Sequence, residues 1–462
     1  MNGRAIRRLR AGLQGSLLLP GEPQYEQARS IWNGMTTRRP ALIARVAATE
    51  DVIACVNFAR DNGLPLSMRG GGHNVAGAAL CEGGLTIDMS RRRNVSVDPA
   101  RQFVGVEAGA TWGDVDRASN PFGLVVPGGI VSATGVAGLT LGGGFGWTSR
   151  KFGFAADNLV AADLVTADGQ LRHASANDND DLFWALRGAG GNFGAVVSFE
   201  FTAHRFGPHA LCGMAVYPFA QARAVIRRFS EVSTAAPDEL CCALILRHAP
   251  EAPWLPAQLH GQPIAALAAC WAGDPVAGEQ AVRPLQTVGK SVADTIALKS
   301  FLEHQTLFDA GQPFGRRYYW KSHHCAQIND PLAEVLAEHA ERLPSPHSAV
   351  LLTHLGGAPA RHDPTINAVG ARTAQYVLNI QAAWESPGDD DPNLQWAREY
   401  WESTRPFSTG SAYVNFMTAD EGEARLRAAY GEAIYERLGQ IKAHWDPGNL
   451  FCGTQNIPPR CD

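Results

Sequence analysis

The run Arg69–Asn74, RGGGHN, places a histidine directly after three consecutive glycines, on the short connection between two strand-like segments. Glycine has no Cβ atom, so its backbone accepts positive φ angles and its amide groups approach a bound anion closely. His73 then stands at the end of an anion-sized cradle, where its imidazole faces whatever the amides hold. On composition alone, a tight turn with a structural histidine is the alternative interpretation.

Two further glycine-rich stretches follow in the first half of the chain, at Val126–Gly146 and Arg187–Gly194. Three such loops favour a long, flat ligand that carries phosphate and is held at several points. None of them has the GxGxxG spacing of a dinucleotide-binding turn with its acidic residue, and none has the GxxxxGK[ST] spacing of a P-loop. The sequence therefore disfavours a Rossmann or P-loop nucleotide site.

The three loops and two C-terminal motifs together resemble a known family. The motifs are, in order, RGGGHN, PGG followed by GLTLGGGFG, LFWALRGAGGNFG, YVNF and IKAHWDPGNLFCGTQNIP. They resemble the berberine-bridge-enzyme-like branch of the vanillyl-alcohol oxidase superfamily, which has a PCMH-type FAD-binding fold, and the match runs from Arg39 to Pro458. The resemblance implies FAD as the cofactor, bonded through its C8 methyl carbon to His73.

The resemblance also implies which residues contact the FAD. Many relatives carry a cysteine, which forms a second covalent link, where this chain has Val131, and no cysteine lies between Cys81 and Cys212. A single attachment, through His73, is therefore expected. Thr134 matches the position that admits or blocks oxygen beside the flavin, with a buried packing residue as the alternative. The implied cofactor-binding residues are Arg69, Gly70, Gly71, Gly72, His73, Asn74, Thr134, Gly135, Gly138, Gly142, Gly143, Asn158, Gly191, Gly194, Val196 and Asn449.

Candidates for a catalytic base are tyrosines of the second half of the chain. The resemblance points first to Tyr413 in the YVNF motif, and Tyr319 and Tyr376 are further candidates. A phenol with a pKa of about 10 acts as a base at neutral pH only when a positive charge or a hydrogen-bond donor favours its anion. A buried tyrosine bonded through its hydroxyl is the alternative. Strand alternation separates Tyr319 and Lys321 from Tyr318 and Trp320, so these four side chains cannot all line one pocket.

The elements around these motifs predict an α+β protein of two domains. Short strands flanked by helices precede about residue 206, and longer antiparallel strands with amphipathic helices follow. We expect an FAD-binding domain over residues 36–206, a substrate domain over 207–410 and a C-terminal segment, 411–462, that returns to the FAD-binding domain. The substrate domain is expected to be an antiparallel sheet, with helices on one face, that covers the flavin.

Composition excludes several other classes of function. The 462 residues carry a net charge of −5 without a basic run, which argues against nucleic acid as a partner. No run of about 18 apolar residues occurs, so no membrane span is expected. The nine cysteines lack CxxC spacing and the histidines lack HExxH spacing, so we expect no metal site, and reduced thiols in a cytoplasmic protein.

The family resemblance implies an FAD-dependent oxidase. Its donor would be a small molecule, namely a secondary metabolite, sugar or amine, that loses a hydride from a C–H bond next to oxygen or nitrogen. Molecular oxygen would then be reduced to hydrogen peroxide, and the protein would be a monomer or homodimer. The alternatives are a dehydrogenase that uses a different electron acceptor and a flavin-binding protein without turnover.

Overall fold

The computed structural model describes residues 3–453 and 455–460, which form two halves with a cavity between them. The glycine-loop half consists of residues 3–206 and 411–460, and the sheet half of residues 207–410. The strands of the glycine-loop half are β1 (Ser16–Leu18), β2 (Leu42–Arg45), β3 (Leu66–Arg69), β4 (Leu85–Asp88), β5 (Val95–Asp98), β6 (Phe103–Glu107), β7 (Leu124–Val125), β8 (Leu159–Val165), β9 (Leu171–Ser175), β10 (Ala195–Thr202) and β11 (His204–Arg205). Its helices before the sheet half are α1 (Gly3–Gly12), α2 (Tyr25–Arg29), α3 (Thr49–Asp61), α4 (Trp112–Ser119), α5 (Val136–Leu141), α6 (Ser149–Phe152) and α7 (Asp180–Leu186).

Two small sheets build the glycine-loop half, together with a two-stranded pair formed by β7 and β11. One has four strands in the order β1-β2-β4-β3, with β2, β3 and β4 parallel and β1 antiparallel to β2. The other has five antiparallel strands in the order β5-β6-β10-β8-β9. The first glycine run leaves the end of β3, and the third runs into β10. The strand ends therefore carry these two loops toward the same cavity.

The sheet half is one large antiparallel sheet with helices on one face. Its strands are β12 (His209–Pro218), β13 (Leu240–His248), β14 (Pro263–Trp271), β15 (Ala293–Asp294), β16 (Ala297–Ser300), β17 (Arg317–Cys325), β18 (Ala349–His354) and β19 (Tyr376–Trp384). The order across the sheet is β15-β12-β14-β13-β18-β19-β17, with β16 beside β12. The helices on that face are α8 (Ala222–Ala235), α9 (Pro275–Gln286), α11 (Asp330–Ala340) and α13 (Asp390–Thr404). Two short helices, α10 (Phe301–Gln305) and α12 (Ala358–Arg361), instead contact α4 and α6 of the glycine-loop half.

One hydrophobic core lies between this sheet and its helices. It contains Val225 and Phe229 of α8, Leu336 of α11 and Tyr400 of α13, together with every second residue of the central strands. Because side chains alternate along a strand, the remaining residues face the glycine-loop half. The face covered by helices is thus closed to ligands, and the other face roofs the cavity.

The chain then returns to the glycine-loop half through α14 (Glu423–Tyr430) and α15 (Glu432–Trp445). Ala412, Met417, Leu438 and Ile457 belong to the same core cluster as the strands of that half. The C-terminal segment therefore completes the core of the first half, and its residues Phe451, Cys452, Gly453 and Gln455 line the cavity.

Buried cations join the two halves. Arg150 of α6 is 4% exposed and reaches into the sheet half, where its guanidinium donates to the carbonyl oxygens of Ala236, Pro237, Leu240 and Leu355. Burial lowers the pKa of His354 to about 3, so its neutral ring nitrogen accepts a further bond from Arg150 at 2.9 Å. Asp157 and Arg372 form a second link, with exposures of 1% and 3%.

The architecture confirms the expected α+β fold with an antiparallel sheet backed by helices. Ser16–Leu18 is an edge strand paired with β2, so residues before position 36 belong to the first sheet. Over the described ranges, no helix is both long and apolar enough to cross a membrane. The same ranges contain no cluster of three or more histidine, cysteine or carboxylate side chains suited to a metal ion.

Arg150→Met should destabilise the protein by about 3 kcal/mol, because four buried carbonyl groups would lose a charged donor. Urea unfolding followed by tryptophan fluorescence measures this change. The control is Arg91→Met, which removes an exposed arginine from the same half. Equal stability of the two variants would contradict the role of Arg150 as the link between the halves.

Candidate functional site

The cavity lies between the three glycine loops and the open face of the large sheet. Its floor is formed by segments that include Gly70–Asn74, Gly129–Val131, Thr134–Gly142 and Ala189–Asn192. Its roof is formed by side chains of β13, β17, β18 and β19, and its side by Tyr413–Phe416. The many glycines of the floor expose backbone amides, which suit a ligand that carries phosphate groups.

The first and second glycine loops touch through their backbones. A Cβ atom on Gly71 would lie 2.5 Å from the backbone nitrogen of Gly135, and one on Gly135 would lie 2.4 Å from that of Gly71. Gly135 also bridges to Thr111, which caps α4, and the Trp112 amide donates to the Thr134 carbonyl at 3.0 Å. The contact between these two glycines therefore sets the distance between the first and second glycine loops.

His73 lies at one end of the cavity in a stack of aromatic rings. Its imidazole is 4.4 Å from the ring of Trp32, which stacks in turn on Tyr318 at 3.7 Å. Burial lowers the pKa of His73 to about 4, so the ring is neutral at pH 7. Its Nε2 atom is buried and has no hydrogen-bond partner among the described residues. A neutral, unpaired ring nitrogen at the cavity wall fits a residue that bonds to a cofactor.

The second glycine loop is held by the sheet half. The Asp309 carboxylate accepts from the Ser132 amide at 2.9 Å and from the Ser132 hydroxyl. The Gln305 side chain donates to the Gly129 carbonyl at 2.6 Å. Val131 lies between these two anchors and lines the cavity. Polar contacts across the two halves thus hold the loop where many relatives are expected to have a covalent bond.

A buried ion pair supports the third glycine loop. Lys442 and Asp446 of the C-terminal segment are both fully buried and 2.6 Å apart. The Lys442 ammonium also donates to the carbonyls of Asn192 and Phe451, and the Asp446 carboxylate accepts from the amides of Leu450 and Phe451. The pair therefore ties the third loop to the last segment of the cavity wall.

The hydroxyl of Tyr413 faces the cavity and is held by two donors. It accepts from the Gly144 amide at 3.0 Å and from the Asn415 side-chain amide at 2.8 Å. Burial raises the pKa of Tyr413 to about 12, and the two hydrogen bonds oppose this shift in part. The phenol is therefore protonated at neutral pH, while both donors are placed to stabilise its anion.

The roof consists of two cross-strand rows of side chains. The first row is Trp320, Gln381, Ala349 and Arg247, and the second contains Asn379, Leu351 and Ile245. Both amide atoms of Asn379 are buried without a partner among the described residues. The roof is thus apolar with a few polar groups that have no protein partner, which is typical of a small-molecule site.

Tyr319 and Tyr376 lie on the opposite face of the sheet, so the structure corrects their assignment as catalytic candidates. The Tyr319 hydroxyl donates to Asp420 at 2.7 Å, and Tyr376 shares a 2.7 Å hydrogen bond with Ser233 of α8. Both residues belong to strands that form the roof of the cavity. Because side chains alternate along a strand, their rings point to the helix-covered face. Of the neighbouring residues singled out in the sequence, Trp320 and Asn379 do line the cavity.

The structure gathers most of the expected cofactor contacts around the cavity. Those that line it are Gly70, Gly71, Gly72, His73, Asn74, Thr134, Gly135, Gly138, Gly142, Gly191, Gly194 and Val196. Their contact with FAD stays a prediction.

Four expected contacts lie behind the lining and hold it in place. Arg69 donates to the Ala28 carbonyl, and Gly143 takes a φ of +109° beneath Tyr413. Asn158 bonds to His204 and to the carbonyls of Phe152 and Phe154, and Asn449 ends a turn at a φ of +53°. None of the four is among the lining residues, and their contact with FAD also stays a prediction.

Several residues that line the cavity, or that contact its wall, were not identified from the sequence. Trp32, Arg247, Gln381 and Asp309 stand in segments without a recognisable motif and reach the site only through the fold. Asn415 is different, because it belongs to the YVNF motif. Its position two residues after Tyr413 was sufficient to suggest a place beside the Tyr413 hydroxyl.

Comparison with known proteins is consistent with this geometry. Residues 40–175 match the family described as FAD binding domain, and residues 412–458 match the family described as berberine and berberine like. An FAD-linked oxidoreductase of Dictyostelium discoideum is 30% identical over 97% of this chain and 95% of its own. The (R)-6-hydroxynicotine oxidase of Paenarthrobacter nicotinovorans is 29% identical over 97% of both chains. The crystal structure of 6-hydroxy-D-nicotine oxidase from Arthrobacter nicotinovorans superposes with a TM-score of 0.87, at 27% identity, over 97% of this chain and 99% of that one.

Gly71→Ala and Gly135→Ala should each separate the first two glycine loops, because the added Cβ atom would overlap backbone atoms that cannot turn away. We expect each variant to lose about 2 kcal/mol of stability and to be purified with less flavin per chain than the wild type. Thermal unfolding and the ratio of flavin to protein absorbance measure the two effects. The control is Gly448→Ala, whose Cβ would meet no atom within 4 Å. Wild-type values for either loop variant would contradict the contact.

Proposed function

This chain belongs to the berberine-bridge-enzyme-like FAD-linked oxidoreductases, and from that premise we propose that it is an oxidase that uses molecular oxygen. Its donor is a small molecule with a C–H bond next to oxygen or nitrogen, and its products are the oxidised molecule and hydrogen peroxide. One observation carries the proposal. The unpaired His73 nitrogen and the Tyr413 hydroxyl, held by two donors, both border the cavity that the glycine loops floor.

The residues of the cavity fit an FAD molecule. Backbone amides of the glycine loops would hold its phosphates, and His73 would carry the covalent bond to it. When bound, the flavin supplies the chemistry of hydride acceptance and of electron transfer to oxygen. We propose a single attachment, because Val131 replaces a cysteine in the second loop. A cytoplasmic location is part of the proposal and rests on the cysteine pattern of the sequence.

Tyr413 is proposed as the base that takes the proton from the oxygen or nitrogen of the donor. Its oxygen accepts two hydrogen bonds, and no acceptor for its own proton occurs among the described residues. The hydroxyl proton is thus free to point at a donor in the cavity. Because the pKa of Tyr413 is about 12, the reactive anion grows about tenfold with each unit of pH below that value.

His73→Ala should abolish the covalent bond to flavin. After acid precipitation the wild-type pellet should stay yellow, and the peptide that carries His73 should show the added mass of FAD. His73→Ala should give a colourless pellet, even where flavin binds the folded variant. The control is His209→Ala, an exposed histidine of β12, which should remain yellow. A wild-type pellet without flavin would refute the attachment.

Tyr413→Phe should slow flavin reduction about 10²- to 10⁴-fold, the usual contribution of a catalytic base. The wild-type rate should rise about tenfold per pH unit between pH 7 and 10, and the rate of the variant should not change with pH. Anaerobic stopped-flow spectroscopy with a reducing donor measures both. Tyr376→Phe removes a hydroxyl on the helix-covered face and should leave rate and pH profile unchanged. A flat wild-type profile would contradict the base assignment.

The oxidase proposal itself is tested by a donor screen in two steps. A panel of alcohols, sugars, amines and hydroxy acids is first tested anaerobically for bleaching of the flavin absorbance. Any donor found is then tested in air for hydrogen peroxide in proportion to product. Bleaching without peroxide would favour a dehydrogenase with another acceptor, and no bleaching by any donor would favour a binding protein.

A further inference from the structure

The charge inside the cavity is carried by one side chain. The lining contains no aspartate, glutamate or lysine among the residues that the structure describes, and Arg247 is its one arginine. His73 and His347 also line it, and burial lowers the pKa of both, so they add no positive charge at neutral pH. The protein therefore presents a single guanidinium to whatever enters beside the cofactor.

Arg247 has no acidic partner among the described residues. Its Nε atom donates to the His248 carbonyl at 3.1 Å, and no carboxylate lies within ion-pair distance. Burial lowers the pKa of Arg247, and so does the second cation nearby, Arg316. Arg316 is itself paired with Glu385 at 2.7 Å. The electrostatics around Arg247 thus leave a positive charge uncompensated inside the protein.

The surroundings of Arg247 provide a second donor and an apolar wall. Gln381 lies two strands away in the same row, and its side-chain oxygen accepts from Gln312 at 3.2 Å, which leaves its amide hydrogens free. Ile245 and Leu351 follow in the next row, and Trp320 closes the row of Arg247. A ligand with one anionic end and an apolar body matches this arrangement.

Arg247 lies next to the segment Gly311–Gln312, which contacts Trp32. A Cβ atom on Gly311 would lie 3.3 Å from the Arg247 Nη1 atom, and the neighbouring Gln312 carbonyl accepts from the Trp32 indole at 3.1 Å. Trp32 stacks on His73. The guanidinium thus belongs to the roof near the His73 end of the cavity.

We propose that the molecule oxidised in this cavity carries a carboxylate, which Arg247 binds through two parallel hydrogen bonds with Gln381 as a further donor. This inference rests on the proposed function and narrows its donor to anionic small molecules. Arg247 is half-buried and has no acidic partner, and a carboxylate matches the guanidinium fork in shape and charge. A protonated amine is repelled by the same group, and a neutral sugar leaves it unpaired. Arg247 selects the donor, and the proton transfer remains with Tyr413.

Titration of the flavin-loaded protein with three matched probes tests this inference. Benzoate, benzamide and benzylamine share a ring and differ in charge, and each is followed by its perturbation of the flavin absorbance spectrum. Benzoate should bind at least about tenfold more tightly than benzamide, and benzylamine should bind most weakly. Arg247→Met should weaken benzoate about 10- to 100-fold and leave benzamide unchanged. Arg247→Lys keeps the positive charge but loses the two parallel donors of the guanidinium. Its affinity for benzoate should lie between those of the wild type and Arg247→Met.

The control is Arg223→Gln, which removes a positive charge from the exposed surface of α8 and should bind benzoate as the wild type does. Equal binding of benzoate and benzamide, or an unchanged affinity in Arg247→Met, would overturn the inference while the oxidase proposal stands. Loss of flavin from Arg247→Met would also overturn it, because Arg247 would then serve the cofactor. A wild-type protein without flavin would instead defeat the proposed function.

Discussion

The backbone contact between Gly71 and Gly135 is the constraint on which the site depends. Each residue occupies the space that a Cβ atom of the other would need, so neither position accepts a side chain without moving a loop. The contact aligns the amides of two loops that are more than sixty residues apart in the chain. It also joins them to the start of α4 through Thr111. At this point the floor of the cavity therefore consists of two backbone segments in direct contact. This packing is rigid, and because glycine has no side chain a ligand can approach the backbone closely.

The site also requires a fixed position of one half relative to the other. Buried polar groups between the two halves provide it. Arg150 places a cation among carbonyl oxygens of the sheet half, and Asp157 pairs with Arg372 across the same boundary. Burial alone would raise the pKa of Asp157, but the hydrogen bonds and charge of Arg372 outweigh it and the pKa is lowered. Such groups accept few alternative arrangements, since each lost partner leaves a charge or carbonyl unsatisfied. These contacts therefore fix the distance between the roof of the cavity and the glycine loops.

Burial also sets the chemistry of the site. It keeps His73 neutral, as a residue that bonds through a ring nitrogen must be, and it keeps Tyr413 protonated until a bound molecule or high pH removes the proton. The half-buried Arg247 has no acidic partner among the described residues, and the described lining of the cavity holds no carboxylate. The unpaired side-chain atoms of His73 and Asn379 lie at this cavity as well. Polar groups without protein partners therefore gather where a ligand would supply them.

The sequence alone determined the features that depend on local spacing. Through the family resemblance, the glycine loops, His73 and the YVNF motif predicted FAD and most of the residues that line the floor. The patterns of strands and helices predicted the α+β fold. Alternation along β17 correctly separated Tyr319 from Trp320, but it could not tell which face of the sheet the helices would cover. That choice was made by the packing of α8, α11 and α13, which turned Tyr319 and Tyr376 away from the cavity. Trp32, Asp309 and Arg247 likewise entered the site from distant segments, because only the folded chain brings side chains of remote sequence position within contact distance.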